Sequence, residues 1–361
     1  MTDRLLWIDA VRALAAQTIV LHHLSIYGPV ARTLAQAAPG VIGWFDEYGR
    51  IAVQVFLVLG GALSARALAR EGGPLAATLM RSLAARYLRL FIPFYAALIL
   101  VALVSAAGRI WLDESWIAPT PDALTVLAHL TGLYDYLGIE ALSAGAWYVT
   151  IDWQLHAVVM LIAWACMQAP ESMRRGLWPA AVAGLAALSL LWINRHAAWD
   201  FQPLYFFGSF ALGMAAAWLA ESRQAGERLG ALAILVCAAL GLIIAWRLRI
   251  AVALVTAIAV STGLAGWGAR VDRVLRDPGR PAARLARRVV EFLGDTAYAL
   301  FLVHFALCII VNAWFVRFSS GGASAAALAL LGAWALSLGL AWVLYRVVEA
   351  PLARWRLRYV R

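Results

Sequence analysis

The sequence predicts an all-α integral membrane protein, a bundle of about ten transmembrane helices with both termini on the cytoplasmic side. Three observations predict this class. Of the 361 residues, 64% are hydrophobic and 14% are charged, whereas soluble domains are roughly 45–50% apolar and about 25% charged. Ten apolar segments approach the ~20 residues needed to cross the hydrocarbon core of a bilayer. The arginines, finally, are distributed unevenly between the loops that join these segments.

The ten segments follow one another along almost the whole chain. They lie at residues 5–27, 50–69, 87–108, 145–168, 177–195, 203–221, 229–246, 249–267, 292–316 and 324–347. The first two are the least typical, because they carry charged residues. The seventh and eighth are separated only by the sequence RLR, which indicates either a tight hairpin or one misplaced boundary. No separate soluble domain fits between them, so we expect a single integral membrane domain over residues 1–361.

The basic residues predict the orientation. All 30 of them are arginine, and cytoplasmic loops of membrane proteins are enriched in basic residues. With the N-terminus inside, 23 arginines fall on the inner side and seven on the outer side. Both termini are therefore predicted inside, which requires an even number of spans. This distribution also accounts for the net charge of +10, so we expect a lipid bilayer and no nucleic acid as partner.

Two connecting segments are long enough to have a role of their own. Residues 109–144 are predicted outside, with aromatic side chains that either stack on a sugar or anchor the chain at the membrane interface. These aromatics are Trp111, Trp116, Tyr134 and Tyr136. Residues 268–291 are predicted inside, as a strongly basic loop.

Ionisable and amide side chains interrupt four of the spans. A charged residue at the centre of a membrane helix costs about 2.5–3.5 kcal/mol on insertion scales, so such residues usually pair, face a cavity or serve function. The set is Asp9, Arg12, His22, His23, Gln54, Asp152, Gln154, His156 and His304.

Helical geometry divides this set further. Arg12 and His23 are eleven residues apart, which at ~100° per residue is within about 20° of three full turns. They therefore share a helix face that the neighbouring His22 does not. Asp152 and His156 are four residues apart and also share a face, although His156 alone is equally explained as an interhelical hydrogen-bond donor. A neutral imidazole is a competent general base and arginine suits phosphate, so the first span predicts a phosphate-bearing donor and a proton abstraction.

Six stretches resemble, in order, the motifs of the integral-membrane acyltransferase-3 family. They are WIDAVRALAAQTIVLHH, VQVFLVLGGAL, ARYLRLFIPFY, AWYVTIDWQLHA, LGDTAYALFLVHF and VVEAPLARW, spread from residue 7 to residue 355. The first contains the spacing of Arg12 and His23 that is typical of the family. The chain departs from the family pattern at Gly60, where serine is usual, at Asp152, where glutamate is usual, and at His156, where an aromatic residue is common.

The resemblance implies an O-acyltransferase that uses acyl-CoA, by default acetyl-CoA, as co-substrate, with no metal expected. The phosphates of the donor would meet Arg12, Arg86 and Arg89, although the last two are also explained as positive-inside anchors. His23 would deprotonate or orient the acceptor hydroxyl. Asp152 would set the tautomer of His23, and His304 would hold the thioester carbonyl or pass a proton. The implied acceptor is a cell-surface carbohydrate or lipid-linked glycan, modified at the bacterial cytoplasmic (inner) membrane.

The same buried polar residues also suit a transporter or flippase of a glycan or small polar substrate. Against this alternative, no internal repeat is evident and the six motifs occur in the order of the family. A non-catalytic membrane scaffold would not need the buried polar set.

Overall fold

A computed structural model describes residues 4–71 and 76–359, and over these residues the protein is helical without a β-strand. Arg361 of the basic tail lies outside the described residues. The helices are α1 (Leu6–Ile26), α2 (Gly28–Ala37), α3 (Pro39–Tyr48), α4 (Val53–Glu71), α5 (Ala76–Gly108), α6 (Ala123–Thr131), α7 (Ala146–Met167), α8 (Glu171–Leu191), α9 (Pro203–Glu221), α10 (Ala225–Ile244), α11 (Leu248–Thr262), α12 (Gly268–Leu275), α13 (Pro281–Phe318), α14 (Ala323–Leu344) and α15 (Ala350–Tyr359). Short 3-10 turns and two π-helical turns, Gly263–Trp267 and Tyr345–Glu349, connect some of them.

Nine helical stretches in the described part of the chain are long and apolar enough to cross a membrane. They correspond to nine of the ten predicted segments. The remaining segment is α1, which has sufficient length at 21 residues, but whose charged and histidine side chains reduce its hydropathy. The prediction of a polytopic helical bundle is confirmed, and the side on which the termini lie stays a prediction.

The structure decides two boundaries between helices. α10 and α11 are separate, so the RLR sequence marks a hairpin. The prediction of a loop over residues 268–291 is wrong, because α12 and α13 leave only residues 276–280 between them. Pro281 begins α13, a position where its missing N–H is not needed. Arg287 and Glu291 then form an ion pair of 2.8 Å one turn apart, which supports a helix in a segment whose basic composition indicated a loop.

The chain divides into two compact units, each assembled from separate stretches of sequence. Unit 1 comprises Met1–Arg12, Val53–Arg86 and Ile151–Phe292. Unit 2 comprises Ala13–Ala52, Tyr87–Thr150 and Leu293–Arg361. The two units are described separately below.

In unit 1, α9 is buried along most of its length and packs against α4, α8, α10 and α11. The contact with α4 depends on two glycines. A Cβ on Gly61 would lie 1.8 Å from the carbonyl oxygen of Phe210, and one on Gly213 would lie 1.9 Å from that of Val58. Small residues allow membrane helices to approach this closely, so the α4–α9 crossing requires glycine at both positions.

In unit 2, Asn312 attaches the end of α1 to α13. Its Oδ1 accepts a hydrogen bond of 2.9 Å from the N–H of Val30, and its Nδ2 donates to the carbonyl oxygen of Tyr27 at 3.2 Å. Gly28 adopts φ +82° at this turn, and a Cβ there would lie 2.5 Å from Asn312. Only glycine suits both conditions, and the turn fixes the end of α1 against the helix that carries His304.

The segment between α5 and α7, also in unit 2, is ordered around His129. The imidazole Nδ1 donates to the carbonyl oxygen of Thr125 at 2.8 Å, and Nε2 accepts from the N–H of Leu142 at 3.1 Å. The ring stacks on Tyr134, with centroids 4.4 Å apart. Tyr134 is therefore a packing residue, and Trp116 likewise packs against Tyr27 and Phe305. These contacts favour a structural role for both aromatic side chains.

The His129 contacts predict a pH-dependent stability. Burial lowers the pKa of His129 below the ordinary 6.5, so the unfolded chain binds the extra proton more readily than the folded protein. The stabilisation from neutral His129 is therefore complete above about pH 6.5 and is lost as the pH falls through the folded-state pKa. We expect the thermal midpoint to fall more steeply below pH 6.5 in the wild type than in His129→Gln. If the thermal midpoints of the two proteins fall equally steeply with pH, the pH dependence does not come from His129.

Candidate active site

Two histidines far apart in sequence meet in unit 2. Nδ1 of His23, near the end of α1, lies 2.7 Å from Nε2 of His304 in α13. The two rings are almost parallel, at 9°, with centroids 4.9 Å apart. His304 is fully buried and His23 is 7% exposed. The pair is thus shielded from solvent, with a small accessible surface on the His23 side.

The hydrogen-bond partners determine which nitrogens carry protons. Nδ1 of His304 lies 3.1 Å from the carbonyl oxygen of Leu300, which only accepts, so this nitrogen is the donor. In the neutral ring, Nε2 of His304 must then accept, and its partner, Nδ1 of His23, must donate. Nε2 of His23 is left with a lone pair and has no hydrogen-bond partner among the described residues. An orienting partner holds an imidazole in this tautomer in hydrolytic triads.

Neighbouring side chains fix the same helix end. The ring of Tyr27 stacks on His23 with centroids 5.8 Å apart. The ring of His22 also lies close to that of His23, with centroids 5.1 Å apart, but its Nδ1 donates to the carbonyl oxygen of Phe45 at 2.8 Å. The two adjacent histidines thus have different hydrogen-bond partners, and the partner of His22 is in α3.

Unit 1 holds a second polar group, built on α5 and α7. A terminal nitrogen of the Arg86 guanidinium donates to both carboxylate oxygens of Asp152, at 2.7 and 2.8 Å. Both side chains are largely buried, at 20% and 8% exposure. A Cβ on Gly60 would lie 3.6 Å from Asp152 Oδ1, so the position where serine is usual adjoins this carboxylate. The ion pair fixes the direction of the Arg86 guanidinium and offsets its charge.

His156 lies one turn after Asp152 on α7. Its Nε2 is 3.1 Å from the hydroxyl oxygen of Ser82 on α5. Ser64, Ser82 and His156 also line a cavity of about 30 Å³, which is large enough for about two water molecules. His156 thus contacts a serine of the neighbouring helix, in agreement with its interpretation as an interhelical hydrogen-bonding residue.

Arg12 and Arg89 have surroundings that differ from those of Arg86. In the first turn of α1, the Asp9 carboxylate pairs with Arg4 and, at 2.8 Å, with Arg12. Asp9 is thus neutralised locally, and an acidic residue is favourable at a helix N-terminus. Arg89 is exposed on α5, three residues beyond Arg86.

Of the site residues predicted from the sequence, the structure brings together His23 with His304, and Arg86 with Asp152. Nδ1 of His23, the nitrogen that the sequence-based prediction gives to Asp152, is bonded to His304 instead. Sequence reasoning missed Leu300 and Ser82. Leu300 acts through its backbone carbonyl, four residues before His304, and an ordinary leucine gives no signal of such a role.

Comparison with known proteins gives one match. The model of the acyltransferase-3 family, described as an acyltransferase domain, matches residues 5–346. No curated protein and no solved structure matches. The matched residues cover nearly all of the chain and include every predicted site residue.

Proposed function

Because the chain belongs to the acyltransferase-3 family, we propose that it transfers an acyl group from acyl-CoA to a hydroxyl of a cell-surface carbohydrate or lipid-linked glycan. The family makes it a multi-pass membrane acyltransferase that moves acyl groups other than aminoacyl groups. Acetyl is the proposed acyl group, acyl-CoA the co-substrate, and the bacterial cytoplasmic membrane the location.

The observation that carries the proposal is the hydrogen-bonded series from the Leu300 carbonyl through His304 to His23. It leaves Nε2 of His23 as an unprotonated nitrogen in a shielded environment. A general base in this state removes a proton from a hydroxyl and contributes about 10²–10⁴-fold to the rate. Acyl transfer to a hydroxyl needs such a base, because an alcohol is a weak nucleophile.

The proposed reaction is one displacement. Nε2 of His23 takes the proton of the acceptor hydroxyl while the oxygen attacks the thioester carbonyl carbon. The C–S bond breaks, the ester forms, and the CoA thiolate receives the proton from the imidazolium. The hydrogen bond to His304 holds the His23 ring in place through both proton transfers, so His304 is a positioning residue in this scheme.

The donor would be held by arginine. The phosphate groups of acyl-CoA are anionic, and a guanidinium group binds phosphate oxygens through two parallel N–H donors. Arg12, Arg86 and Arg89 are the proposed phosphate ligands. Asp152 is proposed to act through Arg86, because two hydrogen bonds to one carboxylate fix the direction of that guanidinium.

The test uses purified protein in lipid nanodiscs with acetyl-CoA and a panel of glycans. We expect release of free CoA that depends on the acceptor, together with an ester-linked acetyl group on the glycan by mass spectrometry. For His304→Gln we expect kcat to fall, by less than the about 10²–10⁴-fold that a general base contributes. The KM for acetyl-CoA should be nearly unchanged, because the donor site is not altered.

The alternative function predicts a different result. Proteoliposomes that move a glycan across the bilayer without acyl-CoA, and that release no CoA, would overturn the proposal in favour of a transporter or flippase.

A further inference from the structure

Three arginines gather at one end of the helices of unit 1. Arg195 follows α8, Arg247 lies between α10 and α11, and Arg249 is in the first turn of α11. We call them the arginine cluster. Within the part of the chain that the structure describes, none of the three forms an ion pair with a carboxylate. Three positive charges without a counter-charge at a protein surface require another explanation.

Arg247 is explained partly by the helix ends around it. Its guanidinium donates to the carbonyl oxygens of Leu190 and Gly241 at 2.9 and 3.1 Å, and to Oδ1 of Asn194 at 2.8 Å. It thereby caps the C-terminal ends of α8 and α10. Each helix end carries about half a negative charge, so the two together offset roughly one of the three arginines.

The other two arginines keep donors available. Arg249 bonds the phenol oxygen of Tyr205 and, at 2.5 Å, the carbonyl oxygen of Asn194. Arg195 is exposed and makes a single long hydrogen bond of 3.5 Å, to Leu191. Burial, followed by the charges of Arg249 and Arg195, lowers the pKa of Arg247 below its usual value. The region is therefore strongly positive, and an anion bound there would be stabilised.

The surrounding aromatic residues indicate where this region lies. Trp192, Trp199 and Trp246 belong to the same helix ends and are all exposed, the last at 71%. Exposed tryptophans at the ends of membrane helices mark the depth of the lipid headgroups. The arginine cluster therefore lies at the depth where phosphate groups of membrane lipids are concentrated.

We propose that the arginine cluster binds the phosphate headgroup of an anionic phospholipid. Guanidinium groups form paired hydrogen bonds to phosphate oxygens, and phosphate is the anionic group of such a headgroup. The lipid would connect α8, α10 and α11 at one side of the membrane and supply the anion that the described residues lack. This inference does not depend on the acyl transfer reaction.

The test compares lipids and two matched variants. Protein purified in neutral detergent is heated with added phosphatidylglycerol or phosphatidylcholine, and its thermal midpoint and retained lipid are measured, the latter by native mass spectrometry. Arg195→Gln is the test variant, because this side chain is exposed and has few contacts. Arg223→Gln is the control, since Arg223 is exposed at the opposite ends of α9 and α10.

We expect phosphatidylglycerol to raise the midpoint of the wild type more than phosphatidylcholine does, with retained lipid in the mass spectrum. Arg195→Gln should lose at least half of this shift and Arg223→Gln should keep it. Equal shifts with both lipids, or equal losses in both variants, would overturn the proposal. Full reproduction of the shift by inorganic phosphate would also overturn it, in favour of a soluble anion.

Discussion

His23→Ala is expected to lower the rate of acyl transfer about 10²–10⁴-fold while the protein still inserts and folds. The substitution removes the only nitrogen that the hydrogen bonds of the pair leave as a proton acceptor. The measurement is acceptor-dependent release of CoA from acetyl-CoA by purified protein in nanodiscs. Thermal unfolding of the same sample shows whether the variant is folded.

His22→Ala is the matched control for this substitution. His22 is adjacent on α1, equally buried, and bonded to the carbonyl oxygen of Phe45. We expect it to cost about 1 kcal/mol of stability, as for the loss of an ordinary hydrogen bond, with kcat within a fewfold of the wild type. A His23→Ala protein within tenfold of the wild-type rate, or an equal loss in both variants, would remove His23 from the mechanism.

Gly61→Ala is expected to prevent most of the protein molecules from folding. The added Cβ would lie 1.8 Å from the backbone of α9 at Phe210, and a backbone carbonyl cannot move aside as a side chain can. Overpacking of a core typically costs ~1–3 kcal/mol of stability and occasionally more. We expect the cost of the added methyl group at this site to be about 3 kcal/mol or more. Gly213→Ala should behave alike, since it meets Val58 of α4 in the same way.

Gly184→Ala provides the control, because it lies within α8 of the same unit and a Cβ there has nothing within 4 Å. The measurement is the monodisperse fraction after detergent extraction, followed by the thermal midpoint. Gly61→Ala should give a small fraction of the control yield. Equal yield and midpoint for the two variants would show that the α4–α9 contact is looser than the structure indicates.

Much of the fold follows from composition and periodicity. Hydropathy predicts ten apolar segments, and nine of them correspond to described helices that are long and apolar enough to cross a membrane. It also gives the ends of α9 correctly, because polar residues follow Glu221 on one side and Gln202 precedes Pro203 on the other. It is wrong at the start of α13, where the basic stretch predicts a loop and the structure has a helix. Charge alone does not distinguish a solvated helix from a loop, and the Arg287–Glu291 pairing that supports helix is a local contact.

The candidate site was only partly predictable. The spacing of Arg12 and His23 separated His23 from His22, because helical geometry is fixed by the chain itself. The partner of His23 depends on how α1 meets α13, 281 residues later, and no local pattern determines that contact. For this reason the analogy with triads favours Asp152 as the partner of His23, whereas in the structure Nδ1 of His23 is bonded to His304.

The proton position on His23 decides whether its Nε2 can act as the general base. Nitrogen NMR of the ¹⁵N-histidine-labelled protein in nanodiscs, assigned with His23→Gln, reports which ring nitrogen carries hydrogen at neutral pH. We expect a protonated Nδ1 and a bare Nε2 on His23, with a through-bond coupling to Nε2 of His304 across the hydrogen bond. A protonated Nε2 with a bare Nδ1 would contradict this expectation, because the nitrogen available to the acceptor hydroxyl would then be a donor.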